Sequence, residues 1–139
     1  MRKIKLFSLA LITGLLFSCS SDDNGGTTTS GDIVGKWFNK EYVVAGQTIP
    51  YDDHEECGKD FIEFSSNNTG RYVDVYECEE EADGFTYSKD GNKLVITQPD
   101  GVENAEIVEL SSTTLKMKFT YDFMEDGNEV TVIEVYSKN

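Results

Sequence analysis

The chain has 139 residues, of which 26 are acidic and 12 are basic, giving a formal net charge of −14. Because nucleic-acid binding depends on Lys and Arg side chains that neutralise phosphates, this balance argues against a nucleic-acid partner. The same charge opposes flat binding to an anionic lipid surface and favours a solvated monomer. The length accommodates one small domain with a single core.

The first 18 residues have the layout of a secretory signal peptide. Basic residues at positions 2, 3 and 5 lead into an apolar run over residues 4–17, which is too short to span a bilayer comfortably. The run ends in Leu16-Phe17-Ser18-Cys19, which resembles the lipobox of bacterial lipoproteins. That resemblance implies cleavage before Cys19 and a membrane anchor through lipid attached to this residue. The alternatives are an ordinary membrane anchor and a cleaved signal with an incidental cysteine.

Residues 19–31 are predicted to form a flexible tether. Positions 20–31 contain no apolar side chain, so this stretch cannot bury surface that would offset the entropy of ordering it. Its start, Ser21-Asp22-Asp23, resembles the acidic signal that directs some Gram-negative lipoproteins to the outer face of the outer membrane. The resemblance implies an outer-membrane protein exposed at the cell surface. A plain polar linker, with the domain on the periplasmic face, is the alternative.

Residues 32–139 are predicted to form an all-β domain. Short runs rich in Val, Ile, Tyr, Phe and Thr alternate with segments rich in Gly, Asn and Asp, and helical periodicity is almost absent. Those segments suit hairpin turns, since their residues tolerate positive φ. The predicted strands cover residues 34–45, 60–65, 70–77, 84–88, 93–97, 105–110, 114–121 and 129–137.

Period-two alternation is clearest in the strand at 114–121. Leu115, Met117, Phe119 and Tyr121 lie between polar residues, so one face of this strand is predicted to be buried and the other wet. Short connections predict that strands adjacent in sequence pair antiparallel. We therefore expect an eight-stranded up-and-down antiparallel meander closed as a small barrel, because closure removes exposed strand edges. A folded sandwich is the alternative.

Gly35-Lys36-Trp37, at the start of the first strand, matches the Gly-x-Trp motif of lipocalins. The domain as a whole is similar to the small lipocalin-like domains of bacterial lipoproteins. The further motifs that carry this similarity are Cys57, Phe61-Ile62-Glu63-Phe64, Asn68-Thr69-Gly70, Cys78, residues 87–94, residues 110–115 and Tyr136-Ser137-Lys138. The resemblance implies a barrel that binds a small hydrophobic molecule, with Trp37 closing one end against a basic residue from the end of the chain. The chain is shorter than an ordinary lipocalin and offers only Lys138 as that cation, so any cavity is expected to be small.

The cysteine count predicts a disulfide. If Cys19 carries lipid, Cys57 and Cys78 remain as a pair in the oxidising compartment to which export leads. On the chain-entropy model their bond would contribute about 3 kcal/mol. A metal or redox pair is the alternative, although the two residues form no Cys-x-x-Cys motif and no histidine cluster accompanies them.

Acidic clusters flank both cysteines, at residues 52–56 and 77–83. A disulfide would bring them to one end of the barrel, where oxygen ligands for calcium would be plentiful. No EF-hand spacing is present and charge runs are usually solvated, so we predict no metal site and no cofactor. His54, the only histidine, is expected at the surface. The chain has no nucleophile elbow, phosphate-binding glycine loop or Cys–His dyad, so no enzymatic activity is expected.

The aromatic residues supply candidates for a ligand pocket. Phe64, Met117, Phe119 and Tyr121 are predicted to face inward by alternation. Further candidates are Tyr72, Tyr76, Phe85, Tyr87 and Tyr136. In the third predicted strand the facing is ambiguous, because valines alternate with tyrosines. Two functions remain open: a carrier of a small hydrophobic molecule, or a non-catalytic structural or interaction module with a filled core that docks on another surface protein.

Overall fold

The computed structural model describes residues 28–29, 31–121 and 129–139. The strands are β1 Thr28–Thr29, β2 Gly35–Val44, β3 Gln47–Pro50, β4 Phe61–Phe64, β5 Thr69–Tyr76, β6 Glu79–Asp90, β7 Lys93–Gln98, β8 Gly101–Leu110, β9 Thr114–Tyr121 and β10 Val130–Ser137. Within these ranges no helix has the length and apolar character needed to cross a membrane. The predicted leader and Cys19 lie outside the described residues.

Eight of the strands close into an antiparallel barrel, as predicted. Around the ring the order is β2, β4, β5, β6, β7, β8, β9 and β10, and β10 pairs back with β2. Apart from the closing β10–β2 pair, every neighbour in the ring is also the next barrel strand along the chain, so the topology is up-and-down. The last strand runs beside the first from Val132 opposite Val44 to Ser137 opposite Phe38. The barrel therefore has no free edge.

Strand boundaries differ from the prediction where the sequence is acidic. β6 begins at Glu79 instead of at Gly84, and its acidic half pairs with β5 from Tyr76 opposite Glu79 onward. β8 begins at Gly101 instead of at Ala105. β3, which was not predicted, extends the hairpin that follows β2. These segments lack an apolar alternation, and backbone hydrogen bonds to a neighbouring strand hold them in place.

The barrel wall is joined by the chain earlier than the predicted domain boundary at Asp32. β1 pairs in parallel with the end of β8, with Thr28 opposite Glu109. The Gly31 N–H also donates a hydrogen bond to the Leu110 carbonyl at 3.1 Å. Among the described residues, contact with the barrel begins at Thr28.

Trp37 closes one end of the barrel, which we call the closed end. Its side chain is fully buried, and its indole Nε1–H donates to the Ile33 carbonyl at 2.7 Å. The Lys138 Nζ lies 3.7 Å from the centre of the indole ring. Lys138 therefore takes the place that the lipocalin resemblance gives to a basic residue from the end of the chain.

The core between the two ends is filled with apolar side chains. Its fully buried members include Trp37, Ile62, Phe64, Leu94, Ile96, Ile107, Leu110, Leu115 and Met117. Phe64 packs edge-on against Phe85 and Tyr87, with ring centres 5.5 and 5.0 Å apart. On β5, Tyr72 packs against this core, whereas Val73 is buried on the opposite face of the strand, opposite Phe61 in the β4–β5 pairing. This resolves the ambiguous facing of that strand.

Between β3 and β4 the chain leaves the barrel wall and returns to the same neighbouring strand. The Tyr51 N–H donates to the Lys40 carbonyl at 2.9 Å, and the Asn39 N–H donates to the Asp60 carbonyl at 3.2 Å. Asn39 and Lys40, which are consecutive in β2, thus hold the chain just before and just after the segment that leaves the wall. We call residues 52–59 the excursion. It lies toward the end of the barrel opposite Trp37, which we call the open end.

Candidate functional site

Six polar side chains converge inside the open end of the barrel. They come from five strands and are Tyr42 of β2, Tyr72 of β5, Glu103 of β8, Tyr121 of β9, and Glu134 and Tyr136 of β10. We call them the mouth cluster.

Strand alternation explains why two carboxylates of this cluster face inward. Glu134 is two residues from the buried Tyr136 and lies opposite Tyr42 on one side and Met117 on the other. Glu103 is in phase with Ala105 and Ile107, both of which are buried in the core. Since side chains of the same parity share a face of a strand, both carboxylates point into the barrel.

The electrostatics of the mouth cluster show how close its members are. Burial raises the pKa of Tyr42 to about 12, and the Glu134 carboxylate adds to the effect. Burial also raises the pKa of Tyr72, with Glu103 and Glu134 contributing, and that of Tyr121, with the same two carboxylates contributing. These phenols are therefore protonated at neutral pH.

The surroundings of Glu134 disfavour the charged form of its carboxyl group. Burial raises its pKa, and the nearby Glu103 raises it further, whereas a hydrogen bond from the Tyr136 hydroxyl opposes the shift. The buried Tyr136 has its own pKa raised well above the ordinary value, first by burial and then by Glu134. A neutral phenol is thus the partner of the Glu134 carboxylate.

A pocket opens beside this cluster, where β8 and β9 separate. The two strands pair from Leu110 opposite Leu115 up to Ala105 opposite Phe119, and their pairing ends there. The pocket has a volume of about 400 Å³ and is lined by Val102, Glu103, Asn104, Phe119, Thr120 and Tyr121. By alternation Glu103, Phe119 and Tyr121 face the barrel interior, so the gap leads toward the mouth cluster.

Positive charges lie elsewhere in the part of the chain that the structure describes. The three ion pairs join Arg71 to Glu63, Lys116 to Glu109 and Lys118 to Glu106. Each pair lies on outward-facing positions, because these residues alternate with members of the core. The inward-facing charges of the mouth cluster are therefore carboxylates, whereas these Lys and Arg side chains lie on the outer face of the barrel.

The predicted disulfide between Cys57 and Cys78 is present and ties the excursion to the turn between β5 and β6. The Cα atoms are 5.7 Å apart. Both turn residues have positive φ, 52° at Glu77 and 65° at Cys78. The Glu55 carboxylate accepts their N–H groups at 2.8 and 2.9 Å, so an acidic side chain of the excursion satisfies the backbone of the strained turn.

His54 holds the excursion to the barrel wall, a role that the sequence did not predict. The side chain is half-buried. Its Nδ1 accepts the Asp60 N–H at 3.1 Å, which leaves Nε2 to donate to the Asn39 carbonyl at 2.7 Å. Asp60 is buried, and its carboxylate accepts the Val75 N–H and the Tyr51 hydroxyl. These bonds fix both ends of the excursion.

One group of three side chains in the described ranges has the spacing of metal ligands, namely Glu55, Cys57 and Cys78. Its two sulfur atoms are bonded to each other, so they are not thiolates available to a metal. The Glu55 carboxylate already accepts two backbone hydrogen bonds. The acidic clusters that prompted the calcium alternative do meet at the open end, where Glu55 bonds the turn and residues 79–83 pair with β5.

The structure places the sequence-predicted pocket candidates at different depths. Phe64, Phe85, Tyr87, Met117, Phe119 and Tyr136 are buried in the core, Tyr72 and Tyr121 are partly buried against it, and Tyr76 is 63% exposed at the end of β5. Sequence reasoning missed Tyr42, Glu103 and Glu134. The signal available for Glu103 was its phase with Ala105 and Ile107.

Comparisons with known proteins agree with this architecture. A family model for the lipocalin-like domain matches residues 33–117. A lipocalin-like protein from Bacteroides uniformis superposes with a TM-score of 0.59 at 17% identity, over 78% of this chain and 100% of that one. An uncharacterized protein from Bacteroides eggerthii gives a TM-score of 0.55 at 17% identity, with the same coverage. No curated protein matches the sequence significantly. Since the family model spans more than half of the chain, the chain belongs to the lipocalin-like domain family.

Proposed function

We propose that this protein is an envelope-anchored binding protein that carries a small hydrophobic molecule in the open end of its barrel. The observation that carries the proposal is the pocket of about 400 Å³ between β8 and β9. Its wall includes the ring of Phe119, which continues into the apolar core through Met117. Membership of the lipocalin-like family supports a binding role over a catalytic one.

The anchor in this proposal is lipid on Cys19. The signal-like residues 1–18, the lipobox resemblance and the polar residues 19–31 support it. We propose that the domain stands on this tether as a monomer at the outer membrane, on the cell surface, with the periplasmic face as the alternative. Residues 32–139 would form the binding domain.

Native mass spectrometry of the full chain, isolated from the bacterial envelope without denaturation, tests both parts. The expected protein begins at Cys19, carries acyl groups there and releases an apolar passenger on activation. A chain of unmodified mass from Met1 would contradict the anchor. A protein that carries no passenger and takes up none from a mixture of lipid extracts would contradict the carrier role.

A second function, a non-catalytic module that docks on another surface protein, is favoured by one observation. Three large apolar side chains are exposed toward the open end, namely Ile49, Tyr76 and Val102, and they are 48%, 63% and 59% exposed. The barrel between the closed end and the mouth cluster is filled by buried side chains, which fits a module with no ligand. If no passenger is found, cross-linking on intact cells from a residue placed at position 102 is expected to capture a specific partner.

A further inference from the structure

We propose that the open end of the barrel selects an apolar ligand that carries a positive charge, such as an alkyl amine or a quaternary ammonium compound. This inference rests on the proposed carrier function and names its ligand class. It is carried by the chemistry of the mouth cluster, by the pocket beside it and by the distribution of cations around them.

The first step concerns the hydrogen-bond partners of the two inward carboxylates. Glu134 is bonded by the neutral Tyr136 hydroxyl, and Glu103 is contacted by the Gln98 amide at 3.4 Å. In the described part of the chain no Lys or Arg makes an ion pair with either of them. Burial makes the Glu134 carboxylate costly to keep ionised, and a cation bound beside it and Glu103 would remove that cost.

The second step is the absence of cations from the segments that surround the opening. At inward-facing positions of the strand ends, the described residues include no Lys or Arg. The connections described at this end are Ala45-Gly46, Glu77-Cys78 and Pro99-Asp100, and their sequences contain none either. The one cation of the excursion, Lys59, has its Nζ 5.6 Å from the ring of Phe38, on the outer face. The described part of the entrance thus holds inward carboxylates and no inward Lys or Arg.

The third step is the aromatic composition. Tyr42, Tyr72 and Tyr121 present rings and neutral hydroxyls around the two carboxylates. Ring faces attract ammonium groups, and phenol oxygens accept their hydrogen bonds. Below them Phe119 and Met117 supply apolar surface for an alkyl chain. Glu103, Phe119 and Tyr121 also line the 400 Å³ pocket, so the charged and apolar parts of one molecule can be held together.

The experiment compares three ligands of one size: octylamine, 1-octanol and octanoate. Each is titrated calorimetrically at pH 7 into the full chain as the cell produces it, against a detergent blank. We expect octylamine to bind at least tenfold more tightly than octanol, and octanoate to bind most weakly. Glu134→Gln and Glu103→Gln should each reduce the octylamine affinity several-fold and the octanol affinity by a smaller factor. The matched control is Glu80→Gln, an exposed outward carboxylate of β6, which should leave both affinities unchanged.

The outcomes separate this inference from the proposed function. Equal affinities for octylamine and octanol overturn the charge selection and leave the carrier role standing. No binding of either compound contradicts the carrier role itself. An octylamine preference that survives the Glu103→Gln/Glu134→Gln double substitution, or that Glu80→Gln reduces equally, would trace the preference to overall negative charge and overturn the assignment to the mouth cluster. Octanol binding retained in each variant shows that the pocket is still folded.

Discussion

Lys138, the penultimate residue of the chain, holds its ammonium 3.7 Å from the ring centre of Trp37, which lies in the first strand of the barrel. The same Nζ lies 3.4 Å from the Val34 carbonyl and so bonds the segment that leads into that strand. Gly35 permits this approach, because a Cβ at this position would lie 2.6 Å from Nζ. The Lys138 side chain thus links the residue that follows the last barrel strand to the start of the first barrel strand, at the closed end.

Replacing Lys138 with Met is therefore expected to destabilise the closed end. The variant keeps most of the side chain's length and loses the cation–π contact, which is worth about 1 kcal/mol at a partly exposed site. In a domain of this size that loss should lower the melting temperature by roughly 4–8 °C. Lys138→Arg is the matched control and should retain most of the stability. Equal losses for Met and Arg would show that chain packing, and not the charge over the ring, is what matters.

The sequence alone predicted the parts of the fold that depend on apolar alternation and turn residues. Each predicted barrel strand is present, the ring closes, and Cys57 and Cys78 are bonded. The acidic half of β6 was missed because its strand character comes from backbone pairing with β5 and leaves no apolar pattern. Glu134 was missed because β10 carries apolar residues on both faces, so its sequence cannot tell which face is inward. On such a strand an inward carboxylate is visible only once the pairing register is known.

Reduction of the disulfide should loosen the open end more than the rest of the barrel. On the chain-entropy model, a bond closing a loop of this length contributes about 3 kcal/mol, and the sequence separation of the two cysteines is 21. Urea denaturation with and without reductant measures the change in the free energy of unfolding. Hydrogen exchange should show faster exchange at the Glu77 and Cys78 amides, which now depend on Glu55 alone.

The double variant Cys57→Ser/Cys78→Ser is the control for that measurement. It should match the reduced protein and show no further response to reductant. Uniform loss of protection across β2 and β10 at the closed end would contradict a local role for the bond.

Gly70→Ala should be among the most damaging single substitutions in the wall. A Cβ at this position would lie 2.3 Å from the ring of Phe85 and 2.5 Å from the Glu63 carbonyl oxygen. The ring could move only by disturbing its contact with Phe64, and the carbonyl belongs to the paired strand β4. Overpacking of this kind costs about 1–3 kcal/mol, measured by urea denaturation. Gly101→Ala, where a Cβ meets nothing within 4 Å, should change stability by less than about 0.5 kcal/mol. Equal effects at both sites would refute the steric argument.

Glu134→Gln is expected to stabilise the protein at neutral pH. Burial raises the pKa of Glu134 above its ordinary value of 4.5, so between that value and the raised one the folded state binds more protons than the unfolded state. The free energy of unfolding therefore falls as the pH rises through this window, and the stability contributed by the protonated group is fully present only below about 4.5. Glutamine keeps an acceptor for the Tyr136 hydroxyl and does not titrate, so the variant escapes this loss.

Urea denaturation of both proteins between pH 4 and pH 8 checks the sign. The variant's advantage should be smallest at pH 4, grow with pH above about 4.5 and level off once Glu134 is ionised in the folded wild type. Asp74, whose pKa burial also raises, is present in both proteins and cancels in the difference. A variant that becomes progressively less stable than wild type as the pH rises would mean that the Glu134 carboxylate is stabilised in its charged form. The interior would then already compensate the carboxylate, and a cationic ligand would have no uncompensated charge to meet.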